Sequence, residues 1–225
     1  MSEGVKGPAG KKTSPLWDAR KAETEQKIID AATRLFIADG YATTSLAAVA
    51  DAAKVGSRTV YLRFGSKAEL LKRAIDVAIV GDAHHIDLAH RDWYLRAGTA
   101  PTLHDRIAAY APGTRALMER VAPLIAVAVQ AEASEPLIAQ AAHAGRTATQ
   151  DNIAGIWRQM HADGLLHPDA DLDWIIATVG VLGQAETYIL LTRTLGWNPA
   201  TYQQWLHDTW LHFATTPSHP AEPQP

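Results

Sequence analysis

The 225-residue chain has no cysteine, which excludes disulfide frameworks, thiolate metal sites and cysteine nucleophiles. It has no lysine after Lys72, the last of eight. No apolar run approaches the roughly 18–20 uninterrupted residues of a membrane span. The first residues show no apolar stretch after their charges, so no secretory leader is expected, and a cytoplasmic location is. Catalytic signatures are also missing. There is no GxSxG elbow, no GxxxxGK[ST] phosphate loop and no GxGxxG after a strand, and Asp173 and Glu186 are isolated acids. The expectation is therefore not an enzyme, and no cofactor is implied.

What is present is ordinary for a globular chain, 47% hydrophobic and 20% charged. The charge is unevenly placed. Residues 1–75 hold thirteen cations and eight acids, a net of +5, while residues 76–225 hold eight arginines and sixteen acids, a net of −8. A basic first third on an acidic remainder points to an anionic partner for the first part alone, or to a lysine-rich tail. Lys11, Lys12, Arg20 and Lys21 could follow a nucleic-acid backbone, or could simply solubilise the start of the chain.

Ala and Leu dominate between two Pro- and Gly-rich ends, and strand-like alternation is rare. The predicted class is all-α. The spacing predicts helices over 18–39, 45–53, 57–64, 67–81, 83–97, 102–111, 113–132, 136–163, 170–195 and 198–214. Gly40, Pro112-Gly113 and Gly164 are read as stops, Ser66 as a cap, and Pro123 as a kink. The expected organisation is a flexible basic arm over 1–17 and a helix-turn-helix DNA-binding domain over 18–66. A helical ligand-binding and dimerisation domain over 67–214 and a disordered tail over 215–225 complete it.

The helices 45–53 and 57–64, joined by a tight turn inside the basic third, form a helix-turn-helix candidate. Its small contacts are Ala47, Ala50 and Ala53, and its apolar anchor is Val49, Val55, Val60 and Phe64. The run Gly40-Tyr41-x-x-Thr44-Ser45-x-x-x-Val49-Ala50, then Val55-x-Ser57-Arg58-Thr59-Val60-Tyr61-x-x-Phe64-x-x-Lys67, resembles the N-terminal signature of the TetR-type repressors. Ala31-Ala32-x-x-Leu35-Phe36 is similar to that family's first helix. The resemblance implies a homodimeric repressor on double-stranded DNA, released by a small-molecule effector bound in the C-terminal part. It implies that Thr44 and Ser45 cap the first motif helix at the DNA backbone, that Tyr61 and Lys67 contact phosphates, and that Thr59 touches backbone or base. Ser57, Arg58 and Leu62 would face the groove, where Arg58 can reach guanine O6 and N7. Lys54 stands where the family often has a turn glycine and gains a possible phosphate contact. Gly56 replaces the usual serine cap.

For dimerisation, helices 136–163 and 170–195 are the candidates, through Ile138, Ala142, Ile153 and Ile156 on one and Ile175, Val179, Leu182, Ile189 and Leu190 on the other. For the effector, Trp93, Tyr94, Met118, Trp157, His161 and Tyr188 combine aromatic and polar character, although each could equally be core. His84, His85, Asp87 and His90 read as a polar helix face and not as a metal site. The alternative to the DNA-binding reading is an all-helical small-molecule-binding protein or enzyme that does not bind DNA.

Overall fold

A computed structural model describes residues 15–81 and 90–217. The expectations for the arm before residue 15, the tail from residue 218 and His84, His85 and Asp87 lie outside these. Within the described residues the chain is helical throughout, without strands: α1 (Pro15–Thr43), α2 (Leu46–Ala53), α3 (Ser57–Phe64), α4 (Lys67–Val80), α5 (Asp92–Thr99), α6 (Leu103–Ala131), α7 (Pro136–Ala162), α8 (Leu172–Leu182), α9 (Ala185–Ile189) with a π-helical turn (Leu190–Thr194), and α10 (Pro199–Thr215).

Local signals set most boundaries. Side-chain oxygens of Ser45, Ser66, Thr102, Asp171 and Asn198 each accept a backbone N–H three residues on, at 2.9–3.1 Å. Each such cap is worth about 1 kcal/mol. Gly40, at φ 81°, ψ 174°, interrupts α1 where a stop was expected, and the chain resumes one further turn before α2.

Three expectations are corrected. The predicted break at Pro112-Gly113 does not exist, and α6 runs unbroken through Pro112 and Pro123. Gly113 is instead a seat. A Cβ there would lie 2.2 Å from the Trp93 ring, so only glycine lets α5 press so closely on α6. The predicted helix 170–195 is divided. Gly183 and the extended Gln184 (ψ 151°) separate α8 from α9, and a Cβ on Gly183 would sit 2.3 Å from Ile153 Cδ1. The helix expected to start at 83 is described from Asp92, with Arg91 as its N-terminal cap position.

Two cores result. In the first, Ile28, Phe36, Val49, Val60, Leu70 and Leu71 from α1–α4 pack with Leu124, Val127 and Ala128 from the end of α6. The expected boundary after residue 66 therefore falls inside this core, which takes in the first half of α4. In the second, α5–α10 surround an aromatic cluster. Trp157 and Trp210 lie 5.1 Å apart between ring centres, Tyr110 stacks on Trp210 at 3.7 Å, and Tyr188 meets Tyr202 edge-on at 4.7 Å. α6 touches α1 and α4 as well as α5, α7, α9 and α10, so it joins the two cores.

Candidate nucleic-acid interface and effector cavity

α2 ends at Lys54, whose backbone is left-handed (φ 56°, ψ 44°), the one described non-glycine residue with positive φ. Its N–H donates to Asp51 and that of Val55 to Ala50, so the chain reverses within two residues. α3 then starts at Ser57, with Gly56 at its N-terminal cap position and no side-chain cap. Val60 is fully buried on the first core, and this fixes the rotation of α3. The opposite face holds Ser57, Arg58, Tyr61 and Leu62, all exposed; Tyr61 is 62% and Leu62 71% accessible. A tyrosine and a leucine this bare on an eight-residue helix do nothing for the core, and they flank a solvated arginine. Thr59 is half-buried at the edge, and Lys54 and Ser45 are exposed beside it.

Two side chains, those of Thr44 and Lys67, are placed otherwise than expected. Thr44 is buried at 3% exposure and donates its hydroxyl to the Gly40 carbonyl at 2.8 Å, so it closes the end of α1. Lys67 turns inward. Its Nζ donates to the carbonyl of Tyr41 at 2.7 Å and sits 4.2 Å from the Tyr41 ring centre, because unsatisfied carbonyls at the end of α1 attract a cation. Arg63 lies 3.8 Å from Glu25, which also accepts from Arg73 at 3.1 Å. These ion pairs tie α3 and α4 to α1.

The second core holds a cavity of about 420 Å³ between α4, α6, α7 and α9. Ile75 and Ile79 of α4, and Leu117, Met118, Val121 and Ile125 of α6, give it hydrocarbon walls. At one side Arg146 donates to Glu132 at 2.6 and 3.1 Å and to Glu186 at 2.7 Å. Glu132, with Glu186 behind it, holds the guanidinium firmly in its charged form.

Of the expected effector residues, only Met118 lines this cavity. Trp93 and Tyr94 line a smaller adjoining space of about 60 Å³ that Met118 also borders. Trp157 is fully buried against Trp210, Tyr188 is packed on Tyr202, and His161 is exposed at the end of α7; none reaches the cavity. The expected dimer residues are mostly core as well. Ile138, Ile153, Ile156, Ile175 and Val179 are buried within the chain. Within residues 136–195, the large apolar residues that stay bare are Trp174 and Val181 on α8, then Leu190 and Leu195. No group of three or more metal-ligating side chains occurs among the described residues, and no single helix there is long and apolar enough to cross a membrane.

A short helix-turn-helix head with a bare second helix, on an all-helical body with a cavity, defines the class: a DNA-binding transcription regulator. Residues 28–74 match the family described as bacterial regulatory proteins, tetR family. No curated protein matches the sequence. Solved structures match its fold. One is a TetR-family regulator from Mesorhizobium loti, 18% identical, covering 86% of this chain and 96% of its own, with a TM-score of 0.62. Another is NalD of Pseudomonas aeruginosa, the secondary repressor of the MexAB-OprM multidrug efflux pump, 18% identical, covering 86% and 97%, TM-score 0.62. A third is SmeT in complex with triclosan, 19% identical, covering 90% and 99%, TM-score 0.64.

Proposed function

We propose that the protein is a homodimeric transcriptional repressor that leaves its operator when a small molecule fills the 420 Å³ cavity. The observation that carries this is the outward face of α3, where Ser57, Arg58, Tyr61 and Leu62 stand bare while Val60 anchors the helix. Arg58 would read a guanine edge; Tyr61, Ser45, Lys54 and the start of α3 would hold phosphates. Thr44 and Lys67 would act indirectly, by fixing the end of α1 from which α2 starts.

α4 supplies the coupling. Its first half belongs to the head core, and its second half lines the cavity with Lys72, Ile75, Asp76 and Ile79. Its final carbonyls receive Arg120 of α6 at Ala78 and Arg91 at Val80. A molecule wedged between Ile79 and Val121 would push α4 against those restraints and alter the separation of two heads in a dimer. The bare apolar residues Trp174, Val181, Leu190 and Leu195 are the proposed contacts for the second copy.

The test is retention of the full-length chain on duplex DNA recovered by selection from random duplexes. Affinity should fall steeply with salt, with two chains per site, and Val181→Asp should give monomers with much weaker retention. Salt-independent or absent retention would overturn the reading in favour of a helical small-molecule binder.

A further inference from the structure

We infer that the cavity takes an apolar molecule with a cationic head in preference to an anion of equal size. The inference rests on the reading of this cavity as the effector site. Its charged side chains are Lys72, Asp76, Glu132, Arg146 and Glu186, three carboxylates against two cations.

Both cations are already engaged. All three guanidinium nitrogens of Arg146 donate to carboxylate oxygens, Nε to Glu186 and the two terminal nitrogens to Glu132. The Lys72 ammonium donates to Asp76 Oδ2 at 2.8 Å. The carboxylates are not saturated in the same way. Glu186 bonds through Oε1 and Asp76 through Oδ2, and their second oxygens have no partner among the described residues. The polar side of the cavity thus offers acceptors and surplus negative charge next to hydrocarbon.

An anionic ligand could recruit Arg146 only by stripping it from Glu132 and Glu186, which would leave two carboxylates facing each other and the newcomer. A cationic head meets the free oxygens, leaves the existing pairs intact and brings the charge of the site to neutrality. These groups are about one-quarter to two-fifths exposed, so water screens the preference, and a ratio of about tenfold is expected instead of a prohibitive one.

The experiment titrates the full-length protein with decyltrimethylammonium, decanol and decanoate, each below its micelle concentration, by calorimetry. The ammonium should bind at least tenfold tighter than decanoate, with decanol between them. Raising the salt should narrow the gap, and Glu186→Gln should largely remove it without weakening decanol. Filling the cavity with Ala142→Trp, or more mildly with Ala142→Leu, should weaken all three. Equal or tighter binding of decanoate overturns the charge preference and leaves the cavity as effector site. Binding of none of the three, or binding that ignores both filling substitutions, overturns the cavity reading and the preference with it.

Discussion

The head and the body of this protein use different kinds of core. The head is built from aliphatic residues and alanine on four helices, with Phe36 and Tyr41, 6.0 Å apart, as its buried aromatic members and Phe64 at its edge. Its remaining polarity consists of caps at Ser45 and Ser66, the Thr44 hydroxyl on Gly40, Lys67 on the end of α1, and the ion pairs of Arg63 and Arg73 with Glu25. The body packs large rings drawn from α5, α6, α7, α9 and α10. The head holds a rigid surface with little material, because its exposed residues are relieved of any packing duty. The body encloses bulky, irregular shapes that leave a cavity between them.

The largest break in this contrast should come from the body. Trp157→Ala removes a fully buried indole and is expected to cost about 3–5 kcal/mol, read as a fall in the denaturant midpoint with DNA contacts untouched. Next, Arg58→Ala should leave thermal stability unchanged while relaxing discrimination at one operator base pair by about 1–3 kcal/mol, measured by competition with mutated duplexes. A tryptophan without effect on stability, or an arginine with a large one, would erase the distinction between the two parts. Lys54→Gly relieves the left-handed backbone and should stabilise the free protein by about 1 kcal/mol in thermal melts, while weakening DNA binding uniformly across sequences.

The smallest effect concerns pH. Asp163 accepts from the buried Arg106 and from Gln159, and these bonds lower its pKa in the folded chain. The unfolded chain therefore binds more protons around the ordinary carboxylate pKa. The contribution is full above that value and disappears as pH falls through the lower folded value. Asp163→Asn should flatten the acid limb of the stability profile and leave the DNA-binding pH profile unaltered.

The head was largely legible because its signals are short in sequence: Ser45 to Ala48, Gly40 at the end of a periodic run, and the motif spacing around α3. The inward turn of Lys67 was not, since its partner carbonyl on Tyr41 lies 26 positions away. In the body, the helices were legible but their breaks were misread. Gly113 looks like a stop until Trp93 is seen lying against it, and Gly183 looks harmless until Ile153 crosses it. The cavity eluded the sequence for the same reason. Arg146 meets Glu132 and Glu186 from 14 and 40 positions away, and no local pattern announces such a pair. Aromatic residues were the natural guess for a pocket, but the largest of them are the filling around it.

The two prolines inside α6 each lack the N–H that would close its ladder, one opposite the Ala108 carbonyl and one opposite that of Glu119. Between them lie Leu117, Met118 and Val121, which wall the cavity. α6 is thus a rod with two soft joints around its middle section. In the proposed repressor that section would yield to a bound effector while the outer ends, one in the aromatic packing and the other beneath α1, stay clamped. In the proposed repressor, swelling of the cavity would then be delivered sideways, onto α4, in preference to lengthwise along the rod.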